Sequence, residues 1–449
     1  MRAVISNLSI KDTITLLRNK YDSIDENGSF FAMIATEYDS DNNATADIFD
    51  VIFAGTQIGY NYVNTIVFPT ARFQAVSFKD NLKYVVWLCK NHAKMVFNKD
   101  SIREKHIWKD VEWGKRAKNY SPKGKDPGNV WIPTEDDGHA NITNHILLDE
   151  EGVLARLIKM IGNEDYEVRG TFSNGACLSP QKECFVPQKG KVPSAQGKVV
   201  FGTSEKMALI EDKTVKVVVT SPPYWNLKDY FKKGQIGQES YDTYLLRMRS
   251  VWQQCYDKLQ DEGSLWININ IRVSNDNVIL IPRDFVAMCK EIGFYYKGII
   301  VWHKSSGIPT GDKNIVDRHE YVLVFSKNCR FDLDQQPLRS YSDYYNSAMN
   351  GGAIWNINRK AGSVGKKYIH PAIYPNELVS RIISVASSAS DTILDPFLGS
   401  GTTLISSLLN GRNCIGYEFN EGFRELIVSR LETDGVDKTA IEFVNQFAE

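Results

Sequence analysis

No apolar run in the 449 residues is longer than a strand, so no segment reads as a membrane-spanning helix. The opening stretch, MRAVISNLSIKD, lacks the apolar core of a signal peptide and reads as none, which makes a cytoplasmic protein the expectation. Cysteine is scarce: seven are scattered without a CxxC pair. Cys177 and Cys184 are the nearest two, and no His or second Cys pair completes a zinc site around them, so no metal is expected. The seven read as reduced thiols that mostly pack, not as a disulfide framework. An excess of one charge sign is missing too, with 53 Lys and Arg against 54 Asp and Glu. Global basicity therefore gives no pointer to nucleic acid, although one basic face would suffice for that purpose. What is there is ordinary globular material, 43% hydrophobic and 24% charged, in a chain long enough for two domains or one large one with insertions.

The second half alternates strand and helix patterns. KVVVT (216–220) is a short β-branched run, and 241–260 carries apolar residues at helical spacing. GSLWININI (263–271), 296–304 and 319–327 read as strands, and PRDFVAMCKEIGF (282–294) as a helix that opens on Pro and closes on Gly. A helix at 375–388, a strand at 391–397, a helix at 402–411 and a strand at 413–419 follow. This alternation predicts an α/β fold with a mostly parallel sheet.

The first half echoes the second in collinear order. ENGSFFAMI (26–34) matches DEGSLWINI (261–269), GYNYVNTIVF (59–68) matches GFYYKGIIVW (293–302), and KYVVWLCK (83–90) matches EYVLVFSK (320–327). Trp131 falls where Trp355 falls, and His145 and Arg156 are spaced as His370 and Arg381. We read 1–178 as a degenerate copy of 197–449, joined by a Pro-, Lys-, Gly- and Gln-rich linker at 179–196. The copy is expected to begin too late to hold a counterpart of the TSPPYW stretch described next, and to carry Gly170 where the second half has Asp395.

Two stretches carry chemistry. In ILDPFLGSGTT (393–403) a strand ends on Asp395 and turns through Gly399 and Gly401 into a helix whose first N–H groups are free. Glu418 ends the next strand about 20 residues on, the usual place for an acid that holds ribose hydroxyls. No GK[ST] follows, which disfavours a phosphate loop. In TSPPYW (220–225) two prolines remove backbone donors, which leaves the Pro222 carbonyl and the Ser221 hydroxyl as acceptors beside the flat ring of Tyr224. That set suits a planar heterocycle with an exocyclic amine. A proline turn that merely closes a strand is the plainer reading of the same residues.

TSPPYW together with DPFLGSGTT resembles the catalytic and cofactor motifs of the amino-group DNA methyltransferases, which use S-adenosyl-L-methionine to methylate N4 of cytosine or N6 of adenine. The resemblance covers about 197–432 and includes WHKSSGIPTGDKNIVDRHEYVLVFSK and YIHPAIYPNELVSRII. The catalytic motif precedes the cofactor motif, as in the permuted β group. The resemblance implies a Rossmann-like class I methyltransferase fold with circularly permuted motif order. It implies Ser221, Pro222, Pro223 and Tyr224 as the catalytic tetrad. Asp395, Phe397, Gly399, Gly401, Thr402 and Glu418 become cofactor residues, with His370 either a cofactor neighbour or a packing residue at a helix entry. Ser as first tetrad residue is more typical of cytosine-N4 enzymes and Asp of adenine-N6 enzymes, so cytosine N4 is the expectation and adenine N6 the runner-up. Relatives that act on RNA or protein glutamine usually carry Asn there. A DNA-binding pseudoenzyme is the non-enzyme alternative, which the intact tetrad and glycine turn disfavour. Thr203 stands where many relatives carry an acid, leaving an adenine contact there open.

The implied partner is double-stranded DNA, with a cognate restriction endonuclease beside it. Basic residues near the tetrad are the expected phosphate contacts: Lys228, Lys304, Arg318 and His319, with Lys115 and Arg116 from a basic, aromatic stretch of the first half (98–126). Ordinary solvated lysines are the alternative for each. Relatives of the β group often pair as homodimers, so the fused copy is expected to make the chain a monomer acting as an internal pseudo-dimer.

Overall fold

The computed structural model describes the chain except for residues 70–81, 104–122, 125, 132–148, 163–164, 174–193, 227–231, 275–276, 305–312, 332, 334–336, 338–352, 359–362, 365–367, 370–373 and 449. In the first half β1 (Ala3–Asn7) leads to α1 (Ile10–Lys20) and β2 (Ser29–Ile34). A hairpin of β3 (Glu37–Tyr38) and β4 (Ala44–Ala46) precedes α2 (Ile48–Ile58), β5 (Asn61–Pro69), β6 (Leu82–Cys89), α3 (Glu150–Met160) and β7 (Tyr166–Gly170). The second half opens with β8 (Gly197–Phe201), β9 (Val215–Thr220), α4 (Tyr241–Lys258) and β10 (Leu259–Ile269). A hairpin of β11 (Arg272–Ser274) and β12 (Asn277–Ile279), then α5 (Ile281–Ile292), β13 (Tyr295–His303), β14 (His319–Ser326) and β15 (Ile354–Asn356) follow. The chain ends through the small hairpin β16 (Ser363–Val364) and β17 (Tyr368–Ile369), α6 (Asn376–Ala386), β18 (Thr392–Asp395), α7 (Thr402–Leu409), β19 (Asn413–Glu418), α8 (Arg424–Thr433) and β20 (Ile441–Asn445).

Nine strands form the second-half sheet in the order β15-β13-β14-β10-β9-β18-β19-β8-β20. Only β14 runs against its neighbours, so the sheet is mixed but mostly parallel, as its apolar runs predict. The pairing of β9 with β18, through Val217–Ile393 and Val218–Leu394, joins two strands that lie far apart in sequence. It sets the end of TSPPYW beside the end of the glycine-turn strand.

The five-stranded first-half sheet runs β5-β6-β2-β1-β7. Its strand directions match β13-β14-β10-β9-β18 at every junction. A bulge between Tyr62 and Asn64 on β5 sits where the bulge between Tyr296 and Gly298 sits on β13. The preceding helices end alike, on Gly59 at φ 118° and Gly293 at φ 119°, a left-handed conformation that costs other residues energy.

Two expectations need correction. The first half does not begin too late: β1 occupies the place of β9. Ala3 pairs with Ser29 as Val217 pairs with Ser264, so Asn7-Leu8-Ser9 stands where Ser221-Pro222-Pro223 stands. No proline turn forms, because Ser9 caps α1 immediately by accepting from the Asp12 N–H. Likewise Val4 pairs with Glu167 as Val218 pairs with Leu394, so Val168 and not Gly170 is level with Asp395. Beyond β7 the first sheet has no counterpart of β19, β8 and β20 among the described residues, and Tyr166 and Val168 lie exposed on its edge.

The halves share one interior. A single apolar cluster runs from Val4 and Phe30 through to Trp266 and Leu394. The Tyr296 hydroxyl donates to Asp47 at 2.8 Å, and Phe49 meets Tyr321 edge-on with ring centres 5.3 Å apart. Ile315, just ahead of β14, is wholly buried in the first half's own cluster with Val63, Trp87 and Trp131.

Candidate active site

An open cleft lies at the carboxyl edge of the second-half sheet. Its walls come from both chemistry-bearing stretches: Ser221 and Pro223 on one side, Phe397, Gly399, Thr402 and Glu418 on the other. Cofactor clefts of α/β sheets sit outside the carboxyl ends of the strands for a topological reason, since the loops there diverge.

The glycine turn is held by two carboxylates. Glu418 accepts from the Gly399 N–H at 2.8 Å and the Asn420 N–H at 2.7 Å. Burial pushes its carboxyl up to about 7, against those two hydrogen bonds. Gly399 and Gly401 have φ of 54° and 85°, which fits the expected need for glycine. Asp395 differs from expectation. It is wholly buried and accepts from Thr220 Oγ1 (2.7 Å), Thr403 Oγ1 (2.6 Å), the Tyr374 hydroxyl (3.0 Å) and the Phe397 N–H (3.0 Å). Burial raises its pKa while these four donors lower it. A carboxylate so engaged braces the turn and has no face on the cleft. Thr402 lines the cleft with its hydroxyl tied to Arg430 at 2.8 Å, and Gly401 precedes it at the helix start.

At the tetrad, Pro222 is buried while Ser221 and Pro223 reach the cleft. The Pro223 carbonyl accepts from the Tyr244 hydroxyl at 2.7 Å. The Tyr224 hydroxyl donates to Glu320 at 3.0 Å. Thr203, at the doubtful acid position, donates to Glu205 at 3.0 Å, and Glu205 pairs with Arg247 at 2.6 Å. The Arg247 hydrogen bond holds the Glu205 carboxyl below the usual range, despite burial.

The expected duplex contacts fare differently. Lys304 is buried, with its ammonium 2.8 Å from Glu320. Arg318 is buried between the halves, donating to the Asp126 carbonyl at 3.0 Å. Burial drives the His319 pKa down to about 4, so its imidazole is neutral. These three are interior groups, not an exposed phosphate-binding face: Lys304 directly follows β13, Arg318 directly precedes β14 and His319 opens it, and all three side chains are buried. Lys228, Lys115, Arg116 and His370 lie outside the described residues. Asn268, Glu320, Tyr374 and Thr220 join the site without having been singled out in the sequence. Their signal is spatial: each becomes relevant only once β9, β10, β14 and β18 are neighbours.

A family model described as DNA methylase, covering N6 and N4 methyltransferases, matches residues 215–429. The type II methyltransferase M.Cfr9I of Citrobacter freundii is 30% identical over 252 residues, covering 49% of this chain and 82% of the relative. M.MjaI of Methanocaldococcus jannaschii is 30% identical over 299 residues, covering 56% of this chain and 96% of the relative. Among solved structures, a candidate DNA modification methylase of Thermus thermophilus, TTHA0409, superposes with a TM-score of 0.43 at 26% identity, covering 56% of this chain and 99% of its own. No described helix is long and apolar enough to cross a membrane. With its tetrad and glycine turn on one cleft, the chain belongs to the N6/N4 family of amino-group DNA methyltransferases.

Proposed function

We propose that the protein transfers a methyl group from S-adenosyl-L-methionine to the exocyclic N4 of cytosine in double-stranded DNA, as the modification partner of a restriction endonuclease. The observation that carries this reading is the single cleft lined by Ser221 and Pro223 together with Gly399 and Glu418. The residues present fit the cofactor. Glu418 suits the ribose hydroxyls, the turn at Gly399 allows close approach, and Phe397 and Phe419 supply apolar and aromatic walls. Asp395 acts through the turn it braces. When bound, the cofactor supplies an electrophilic methyl on a sulfonium.

An exocyclic amine is a weak nucleophile because its lone pair is delocalised into the ring. Ser221 Oγ and the Pro222 carbonyl accept the amine hydrogens, localise that lone pair and orient it, and Tyr224 stacks on the base. Orientation of this kind supplies much of the rate. The base must leave the duplex stack to reach the cleft, at a cost of a few kcal/mol. Serine at position 221 favours cytosine N4, with adenine N6 by the same mechanism as the second reading. The matching strand orders and bulges of the two sheets support an internal duplication with permuted motif order, the first copy acting as a built-in pseudo-dimer partner. In that copy Lys83, level with Glu320, pairs with Glu150 at 2.5 Å and donates to Asn7 at 3.0 Å, and no described strand takes the place of β19 with its Glu418, which supports one cofactor per chain. The basic stretch 98–126 is the proposed contributor to target recognition. Charge reversal at Lys115, Arg116 and Lys118 then weakens DNA binding while cofactor binding persists, and unchanged DNA affinity would sink that part. For the activity itself, Ser221→Ala is expected to bind cofactor and DNA yet lose methylation; retained methylation contradicts the assignment.

A further inference from the structure

Behind the tetrad lies a polar cluster that the two motifs do not account for. One oxygen of Glu320 accepts from the Lys304 ammonium at 2.8 Å. The other accepts from the Asn268 amide at 2.8 Å and from the Tyr224 hydroxyl at 3.0 Å. The same Asn268 nitrogen reaches Ser221 Oγ at 3.4 Å and the Tyr224 oxygen at 3.3 Å. The carboxylate thus ties Tyr224 directly, and Ser221 through Asn268, to the ends of β10 and β14.

Burying an ion pair in this way costs desolvation and is weak support for a purely structural role. The first half provides an internal comparison. Its register places Met33 level with Asn268, Lys83 level with Glu320 and Asn7 level with Ser221, and the same strand order forms there without a carboxylate on β6. The sheet does not need Glu320. Where the tetrad is absent, Lys83 takes the Glu320 position and pairs instead with Glu150 and Asn7; where the tetrad is present, a carboxylate on the strand end holds two of its members. Although burial opposes it, Lys304 and the hydrogen bonds keep the Glu320 carboxyl below the usual range, so it is ionised and accepts from all three donors at neutral pH.

We propose that Glu320 is a positioning residue for methyl transfer, fixing the plane of Tyr224 directly and the orientation of Ser221 through Asn268. The role rests on the functional reading above. It also explains why Lys304 is interior: its charge anchors the carboxylate instead of reaching a phosphate.

The test is a double-mutant cycle in the full chain with Glu320→Gln and Tyr224→Phe, which keeps the ring and removes only the hydroxyl. Each single variant is expected to lower kcat about tenfold or more with the cofactor KM unchanged, since misplacement acts on the reacting geometry. The double variant is expected to be no worse than the poorer single one, because both changes cut the same link. Additive losses, or a wild-type kcat for Glu320→Gln, overturn the proposal. Should Glu320→Gln fail to give a cooperative melt, Tyr224→Phe decides alone, and an unchanged kcat overturns it. Wild-type protein is assayed first. A wild type that binds cofactor but methylates nothing refutes the functional reading, whereas a normal wild type with a fully active Glu320→Gln refutes only the positioning role.

Discussion

Thr220 Oγ1 donates to Asp395 Oδ1 at 2.7 Å, linking the last residue of the tetrad strand to the last residue of the glycine-turn strand. The two motifs are thereby one mechanical unit. Thr220→Val keeps the shape and removes one of the four donors that satisfy a buried carboxylate. The expected cost is about 1–3 kcal/mol by denaturant midpoint. Methyl transfer is expected to fall as well, because the turn and the tetrad lose their common brace. A variant as stable and active as wild type would show that the link is incidental.

Glu418 carries a pH dependence of defined sign. Burial raises its folded value to about 7, so in the empty cleft it is largely protonated in mild acid. The raised value also means that the empty protein loses stability as pH climbs from the unfolded carboxylate value toward 7. Ribose hydroxyls donate best to the ionised form, so cofactor affinity is expected to rise with pH and level off above about 7, with a slope approaching tenfold per unit below it. Calorimetry across that range reads the slope directly. Glu418→Gln is expected to bind weakly and without pH dependence, and a flat wild-type profile contradicts the role.

The junction of the halves is expected to be structural in the ordinary sense. Ile315→Ala removes a wholly buried side chain that the second half inserts into the first, at a cost of about 2–4 kcal/mol. Urea unfolding measures it. A loss below about 0.5 kcal/mol, typical of surface sites, would mean that the insertion carries little of the packing.

Stoichiometry tests the reading of the first half as an inactive copy. Calorimetric titration with S-adenosyl-L-methionine is expected to give one site per chain, since among the described residues the first-half sheet has no counterpart of β19, the strand that ends on Glu418. Two equivalent sites would refute the inactive-copy reading.

Much of this was readable from residues alone because it is local. VKVVVT followed by two prolines declares a buried strand that stops, and PRDFVAMCKEIG declares a helix with both ends marked. The collinear echoes fall on strands in both halves, β2, β5 and β6 in the first and β10, β13 and β14 in the second. What stayed hidden depends on register across the sheet. A one-position comparison along the chain puts Gly170 near Asp395, whereas strand pairing puts Val168 there. Lys304 and Arg318 read as phosphate contacts because sequence shows charge but not the carboxylate or carbonyl that will face it. Asp395 read as a ligand for the cofactor because its three side-chain donors, Thr220, Tyr374 and Thr403, come from separate segments.

The proposed activity is methylation of the exocyclic amine of cytosine. Incubation of the protein with labelled S-adenosyl-L-methionine and mixed-sequence duplex DNA, followed by nucleoside analysis, tests it most directly. Label is expected in N4-methylcytosine and is lost in Ser221→Ala. Label in N6-methyladenine would contradict the base assignment drawn from Ser221, and DNA without label would contradict the proposed activity itself.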